Sequence, residues 1–229
     1  MPQLTLYFAP GTCARVSMIA LEEAGIEFES RVVRFLKGEH RSPEYLALNP
    51  AGKVPCLLVD GAPLTENVSI LIWLARSFPN ANLLPLTGEP WPDAQLLAQL
   101  VWCASTLHPL VTRIRIPQFF CDVAGGPERV YEMGTEAMRQ HIAPAERRLA
   151  NQPWMLDEWS VLDAYIFWVW FRITGAGFDG GQFPRLADHY ARMQERPSVL
   201  AALAREARGQ AELEKEGLAF TPAPPSKRK

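Results

Sequence analysis

The stretch LTLYFAPGTCARVSMIALEEAG, residues 4–25, begins with a short apolar run rich in strand-forming residues, which Ala9-Pro10-Gly11 ends. Apolar residues then recur at helical spacing over residues 14–24, and Gly25 provides a helix stop. Residues 28–35 have the composition of a second strand. The order strand, helix, strand predicts a parallel pair of strands joined by a crossover helix.

The next segment predicts a hairpin followed by a helix. A short helix starts at Ser42-Pro43-Glu44, with serine as its cap and proline at its first position. Strands are predicted over residues 54–59 and 62–65, because Asp60-Gly61 between them is a strong hairpin signal. An amphipathic helix follows over residues 67–78. The predicted order is therefore βαβ, a short helix, then ββα.

A linker separates this first part from a helical remainder. Residues 79–92 contain four prolines, two asparagines and a glycine, which is the composition of a domain boundary. A capping box, Ser160-Val-Leu-Asp163, precedes the most apolar of the later helices. The predicted helices span residues 93–122 (bent at Pro109 and Pro117), 128–150, 161–174 and 184–196, and Ser198 caps a last one.

Composition narrows the class of protein. The chain has 23 basic and 25 acidic residues, a formal net charge of −2, which argues against a nucleic-acid-binding protein. No apolar run approaches the roughly 18 residues of a membrane span, and no export signal is recognised. The four cysteines match neither a metal site nor a disulfide framework, so reduced thiols in the cytoplasm are expected.

Four local motifs occur in one order along the chain, and a weaker fifth spans residues 183–199. On these motifs the sequence resembles the cytosolic glutathione S-transferases over about residues 4–203, and most closely their bacterial, cysteine-using beta class. The four motifs are APGTC at 9–13, NPAGKVP at 49–55, LTEN at 64–67 and SVLDAY at 160–165.

The resemblance implies a fold and a division of the chain. The fold class is α/β plus all-α: a thioredoxin-like N-terminal domain followed by a helical-bundle C-terminal domain. The expected parts are a glutathione-binding domain at residues 1–80, a linker at 81–91, a helical domain at 92–208 and a tail at 209–229 that is disordered at its end. The resemblance also implies a two-fold homodimer.

The resemblance implies a binding site for glutathione in the first domain. The Val54–Pro55 bond would be cis, with Val54 offering its backbone to the cysteinyl part of glutathione; the alternative is an ordinary edge-strand proline. Glu66 would pair with the γ-glutamyl ammonium. Asn67, where the family more often has serine or glycine, would cap the helix or meet the α-carboxylate. The alternative for this pair is a plain acidic helix start.

Two lysines are candidates for the glycyl carboxylate of glutathione. Lys53 directly precedes Val54, and Lys37 lies in the segment after the second predicted strand. Most lysines are solvated surface residues, so that role remains the alternative for both.

Cys13 is the first candidate for catalysis, because it lies where the first strand turns into the first helix. A helix N-terminus favours the thiolate and lowers the pKa of a thiol, and a thiolate can form a mixed disulfide with glutathione. The site is monothiol, and the other three cysteines, Cys56, Cys103 and Cys121, are expected to be more buried. The alternative is a cysteine that only packs in the core.

Two hydroxyls and one histidine complete the candidates. Tyr7 and Thr12 lie near positions where other branches of the family use a hydroxyl to stabilise the glutathione thiolate, and they are alternatives to Cys13. His108 matches the histidine that the beta class places opposite its cysteine, where it could shuttle a proton. A surface or capping histidine is the alternative, and Ala14 and Pro109 depart from the class pattern.

The expected function is that of a glutathione S-transferase with a detoxifying role. It would use glutathione as co-substrate, without a metal, and transfer the thiol to a small-molecule electrophile or disulfide. No nucleic-acid or membrane partner is expected. A glutathione-dependent lyase, isomerase or peroxidase, and a non-catalytic binding protein of the same fold, are the alternatives.

Overall fold

The structure, a computed structural model, describes residues 2–220. These residues form two compact units, one comprising residues 2–84 with 195–220 and the other residues 85–194. The four-part division expected from the sequence stays a prediction. Its disordered tail end falls on residues 221–229, which lie outside the described residues.

The first unit is built on a four-stranded mixed sheet with the strand order β2-β1-β3-β4. Strand β1 is parallel to β2 and antiparallel to β3, and β3 and β4 form a hairpin. This confirms the predicted thioredoxin-like order. The strands are β1 (Leu4–Phe8), β2 (Glu29–Val32), β3 (Cys56–Val59) and β4 (Ala62–Thr65), and the helices are α1 (Ala14–Glu23), α2 (Pro43–Leu48) and α3 (Asn67–Ser77).

Strand β1 shows why the sheet has two different faces. Leu4, Leu6 and Phe8 alternate along it and are buried on one face. Tyr7 points to the other face, where its ring meets the ring of Tyr45 from α2 with 5.7 Å between centroids. Alternate side chains of this buried strand thus face the two layers of helices that cover the sheet.

The second strand is shorter than predicted. It ends at Val32, and the chain then forms two short 3₁₀ turns, Phe35–Lys37 and Glu39–Arg41. Gly38 joins these turns with a φ of 79°. Arg34, with a φ of −86° and a ψ of 81°, is the N-cap residue of the first turn, so the apolar composition of residues 28–35 is divided between a strand and a turn.

Helix α9 (Pro197–Lys215) belongs to the first unit, where it packs against α1. A Cβ atom on Gly209 would lie 2.6 Å from Val32 Cγ2 and 2.8 Å from Phe8 Cζ. The helix can approach the sheet this closely because residue 209 has no side chain. It also continues through residue 208, where the sequence predicted a boundary.

The predicted cap of this last helix was wrong. Arg196 is the N-cap residue, and Pro197 takes the first helical position. The Ser198 hydroxyl instead donates to a carboxylate oxygen of Glu23, at the end of α1, over 2.5 Å. The serine therefore joins two helices rather than capping one.

The second unit is helical, as predicted, but its first helix is interrupted. A π-helical turn, Trp102–Leu107, separates α4 from α5, because Pro109 has no N–H to bond one turn back. Ile116, which precedes Pro117, leaves the helical conformation with a φ of −136°. The helices are α4 (Pro90–Val101), α5 (His108–Arg115), α6 (Gly126–Leu149), α7 (Val161–Thr174) and α8 (Pro184–Gln194).

The capping box at the start of α7 is confirmed. The Ser160 N–H donates to Asp163 Oδ2 over 2.9 Å. Asp163 Oδ1 accepts from the Met155 N–H over 2.8 Å and lies 2.9 Å from His189 Nε2. Asp163 and His189 are both fully buried, so this carboxylate organises the centre of the unit.

Among residues 2–220, no helix combines the length and the apolarity needed to cross a membrane. The same residues contain no cluster of three or more His, Cys, Asp or Glu side chains arranged to hold a metal ion.

Candidate active site around Cys13

Cys13 is the N-cap residue of α1 and follows a tight turn. Gly11 adopts a φ of 72° in this turn. The Thr12 N–H donates to the Ala9 carbonyl over 3.2 Å, and the Thr12 hydroxyl donates to the same oxygen over 2.6 Å. These bonds set the direction in which α1 begins and hold Cys13 in a buried position, with 8% of its surface exposed.

The structure brings Cys13 together with two other predicted site residues. Cys13 Sγ lies 3.6 Å from the Val54 carbonyl oxygen, so the thiol can donate to it. The Asn67 side-chain amide donates to the Cys13 carbonyl over 2.8 Å. Residues from α1, from the loop before β3 and from α3 therefore meet at one point.

Hydrogen bonds to the neighbouring Lys53 carbonyl fix the loop that contains Val54. The Tyr45 hydroxyl and the Asn49 side-chain amide each donate to the Lys53 carbonyl over 2.7 Å. The bond from Val54 to Pro55 is cis, as the resemblance predicted. The backbone of Val54 is thus fixed beside the Cys13 thiol.

The Asn67 side chain forms hydrogen bonds within the first unit. Its side chain is buried, and its Oδ1 atom accepts from the Ser17 hydroxyl over 2.5 Å while its amide donates to Cys13. The side chain does not cap α3, whose N-cap residue is Glu66. It ties the start of α3 to the first turns of α1.

Glu66 has a strained backbone and an exposed side chain. Its φ of 66° is uncommon for a residue other than glycine, and such conformations cost about 1–3 kcal/mol. The Glu66 carbonyl accepts from the Ile70 N–H over 3.0 Å, which starts α3. An exposed carboxylate therefore stands at the N-terminus of a helix, in a conformation that folding alone does not favour.

The two lysines lie in different places. Lys53 is exposed and adjoins Val54, so it belongs to the neighbourhood of Cys13. Lys37 instead lines a polar cleft of about 750 Å³ together with Arg34, Glu39 and Glu216, and the residues around Cys13 do not line that cleft. The structure groups Lys53, but not Lys37, with the other candidates.

The hydroxyls of Thr12 and Tyr7 are both engaged. The Thr12 hydrogen is donated within its own turn, to Ala9. The Tyr7 hydroxyl accepts from the Arg31 guanidinium over 3.3 Å, on the face of the sheet that carries Tyr45. Cys13 is the candidate that directly contacts Val54.

His108 belongs to the helical unit, where it is the first residue of α5. The residue is half-buried, and its Nδ1 atom lies 3.4 Å from the Tyr165 hydroxyl. Its ring meets the Trp168 ring edge-on, with 4.6 Å between centroids. Two aromatic residues of α7 thus orient the imidazole.

The other cysteines differ in ways that the sequence only partly predicted. Burial raises the pKa of the Cys56 thiol to about 11, and it also raises the pKa of Cys103. Both residues are fully buried. Cys121, however, is only half-buried and is more exposed than Cys13, so the expectation for this residue was wrong. It lies in an irregular segment in which the apolar residues Phe120 and Val123 are also exposed, so apolar composition there does not predict burial.

Sequence reasoning missed a buried ion pair beside Cys13. Arg15 donates to Glu206 through Nε over 3.0 Å and through Nη2 over 2.6 Å, and each residue is only 5% exposed. An arginine inside the otherwise apolar run at the start of α1 was the available signal. Its partner is 191 residues away, and local spacing cannot identify it.

Comparisons with known proteins identify the family to which this chain is similar. Residues 11–77 match the family model for the glutathione S-transferase N-terminal domain. Glutathione S-transferase GstA of Escherichia coli O157:H7 is 30% identical over 208 residues, which cover 89% of this chain and 98% of that protein.

Two solved structures extend the comparison. A glutathione transferase homologue from Sulfitobacter with bound glutathione is 30% identical, with a TM-score of 0.76 over 95% of this chain and 100% of the other. A bacterial beta class glutathione S-transferase from Sphingomonas chungbukensis is also 30% identical, with a TM-score of 0.77 over 88% of this chain and 98% of the other.

Proposed function

This chain belongs to the glutathione S-transferase family, and we propose that it binds glutathione and transfers the glutathione thiol to an electrophile or a disulfide. The observation that carries the proposal is the contact between Cys13 Sγ and the Val54 carbonyl, 3.6 Å apart. It sets a thiol at a helix N-terminus directly beside the backbone to which the cysteinyl part of glutathione would pair.

Each part of glutathione has a counterpart in this unit. The cysteinyl backbone would pair with the backbone of Val54, as one strand pairs with another. The γ-glutamyl ammonium would pair with the exposed Glu66 carboxylate. The α-carboxylate of glutathione would accept hydrogen bonds from the free N–H groups at the start of α3. Lys53 would meet the glycyl carboxylate. Lys37, which lines a separate cleft, is the weaker candidate for that contact.

Two reactions are open to a thiol held in this way. In conjugation, the glutathione thiolate attacks an electrophilic carbon, the leaving group departs with its electron pair, and the thiol proton goes to solvent. In thiol transfer, the Cys13 thiolate attacks the glutathione sulfur of a disulfide between glutathione and another thiol. A bond forms between the two sulfurs, the original S–S bond breaks, and the other thiol leaves as its thiolate. A second glutathione thiolate then attacks this mixed disulfide, which releases Cys13 and forms glutathione disulfide.

Cys13 is the proposed reactive group, and His108 the proposed proton carrier. The Thr12 hydroxyl already donates its hydrogen to Ala9, and Cys13 is the candidate that directly contacts Val54, which supports Cys13 over the alternatives. A histidine can exchange protons near neutral pH, and His108 is oriented by Tyr165 and Trp168. Replacing His108 by alanine should lower turnover more than it weakens glutathione binding.

The proposal is tested by titrating the purified protein with glutathione in a calorimeter and then assaying two reactions. One assay follows conjugation to a nitro-activated aryl chloride, and the other follows reduction of a low-molecular-weight disulfide. We expect binding, at least one activity, and loss of thiol transfer in Cys13→Ala. A protein that neither binds glutathione nor catalyses either reaction would contradict the proposal. Full activity of Cys13→Ala in both assays would move the catalytic role to Thr12 or Tyr7.

We also propose that the protein acts as a homodimer in the cytoplasm. Two-fold homodimers are the commonest oligomers, and its relatives are glutathione S-transferases. All four cysteines are free thiols, which suits a reducing compartment. Light scattering should give about twice the chain mass of 25.7 kDa, and a monomeric mass at micromolar protein would refute the dimer.

A further inference from the structure

One carboxylate bonds to the chain on both sides of Cys13. Glu206 Oε2 accepts from the Gly11 N–H over 3.2 Å and from Arg15 Nη2 over 2.6 Å, and Glu206 Oε1 accepts from Arg15 Nε over 3.0 Å. Gly11 lies two residues before Cys13 and Arg15 two residues after it. The carboxylate therefore spans the turn from which the thiol projects.

This contact lies in a nearly dry part of the first unit. The side chains of Arg15 and Glu206 are 6% and 7% exposed. A buried ion pair contributes little net stability compared with apolar side chains of the same size, because both charges lose their hydration. Stability therefore does not account for a charged pair at this position. A role in fixing the geometry of the neighbouring Cys13 thiol would account for it.

We propose that Glu206, in the C-terminal helix α9, is a positioning residue for Cys13: its carboxylate fixes the Gly11 amide and the Arg15 guanidinium so that the thiol stays at the N-terminus of α1 beside Val54. This inference rests on the proposed function for its effect on turnover. Its effect on the thiol itself can be measured without glutathione.

The structure offers a matched control at the other end of the same helix pair. Glu23, the last residue of α1, accepts from Arg196 Nη2 and from the Ser198 hydroxyl, each over 2.5 Å. It also joins α1 to α9, but it is ten residues from Cys13, about 15 Å along the helix. Glu23→Gln weakens the docking of the two helices without touching the turn at Cys13.

The experiment compares Glu206→Gln with Glu23→Gln in the full chain. We measure the urea midpoint, kcat, KM for glutathione, and the rate at which iodoacetamide alkylates Cys13, read by mass spectrometry. For Glu206→Gln we expect kcat to fall at least tenfold, alkylation of Cys13 to slow at least fivefold, and KM to change less than threefold. For Glu23→Gln we expect a lower midpoint with kcat and alkylation within twofold of the parent.

A double variant separates position from stability. Replacing Arg15 and Glu206 together by methionine removes both buried charges and should restore the urea midpoint. It does not restore the bond to the Gly11 amide, so Cys13 alkylation should stay slow. A folded double variant in which Cys13 is alkylated at the parental rate would overturn the proposal. Equal losses of kcat and of alkylation rate in Glu206→Gln and Glu23→Gln would also overturn it. If the parent does not bind glutathione, the proposed function fails, while the alkylation rates still decide the role of Glu206.

Discussion

Two helix starts in this protein are built in opposite ways. At the start of α7, the Ser160 N–H donates a hydrogen bond to the Asp163 carboxylate. The same carboxylate accepts from the Met155 N–H and contacts His189, and all of these groups are buried. At the start of α3, Glu66 is exposed, has a φ of 66° and forms no side-chain cap.

The difference shows how one motif serves two purposes. The first few N–H groups of any helix lack partners within the helix. Where side chains of the protein accept hydrogen bonds from these N–H groups, the helix start stabilises the fold. Where these N–H groups have no side-chain acceptor and lie beside an exposed, strained residue, they can bind the anionic group of a ligand.

Replacing Asp163 by alanine should have the largest effect. The change removes the acceptor for two backbone N–H groups and for His189, all buried, and should cost about 3–5 kcal/mol of unfolding free energy. The measurement is urea unfolding followed by tryptophan fluorescence. Asp157→Ala, at an exposed position of the same unit, should change the free energy by less than about 0.5 kcal/mol. Similar midpoints for the two variants would contradict the structural role of the box.

Cys13, at the start of α1, should react faster with oxidised glutathione than the buried Cys56 and Cys103. At pH 7.5 a thiol with a pKa of about 11, such as Cys56, is ionised in only about one molecule in three thousand. We expect oxidised glutathione to modify Cys13 at least a hundredfold faster than Cys56 or Cys103. Because the pKa of Cys56 is raised, its own modification should increase about tenfold per pH unit up to about pH 11.

Peptide mapping measures these rates, and the half-exposed Cys121 is first replaced by serine so that it does not compete. Glutathione found first on Cys56 would remove Cys13 from its proposed role.

Replacing Glu66 by alanine should separate binding from stability. Loss of a charge-assisted bond to the γ-glutamyl ammonium should weaken glutathione binding by about 1.5–3 kcal/mol. The unfolding free energy should change by less than about 0.5 kcal/mol, because the side chain is exposed. Calorimetry measures the first quantity and urea unfolding the second, and Glu27→Ala is the control at another exposed acid. Unchanged affinity would refute the assignment of Glu66.

Replacing Ser42 by alanine should have the smallest effect. Ser42 Oγ accepts from the Tyr45 N–H over 3.2 Å at the start of α2, and loss of such a cap costs about 1 kcal/mol. Ser69→Ala is the control, since Ser69 is exposed inside α3, where alanine favours the helix by a few tenths of a kcal/mol. The two changes should therefore have opposite signs in urea unfolding. Equal signs would show that Ser42 does not act as a cap.

Much of the fold was predictable because its signals are local. The hairpin at Asp60-Gly61, the capping box at Ser160 and the strand-to-helix turn before Cys13 are each determined by a few neighbouring residues. Errors appeared where backbone geometry overrides composition. The second strand ended at Val32, before the turn at Phe35. The helix that was predicted to bend at Pro109 and Pro117 is instead divided, by a π-helical turn before Pro109 and by a break at Ile116.

The candidate site was predictable as a set of residue types, but its connections were not. The resemblance named Cys13, Val54 and Asn67 as site residues. The bonds from Asn67 to Cys13 and Ser17, and from Glu206 to Gly11 and Arg15, join residues 50 to 195 positions apart. Such contacts depend on how helices pack, and periodicity in one segment carries no information about them.

Because α9 belongs to the unit that contains the sheet, the order of synthesis has a consequence for assembly. Domains generally begin to fold from the N-terminal side as the chain leaves the ribosome. The sheet and α1 are made first, but Glu206 and Gly209 are made only after residues 85–194, which form the helical unit. The turn at Cys13 therefore receives its hydrogen bond from Gly11 to Glu206 only after the helical unit has been made. A ribosome-bound fragment that lacks α9 should expose Phe8 and Val32 to solvent and to chaperones.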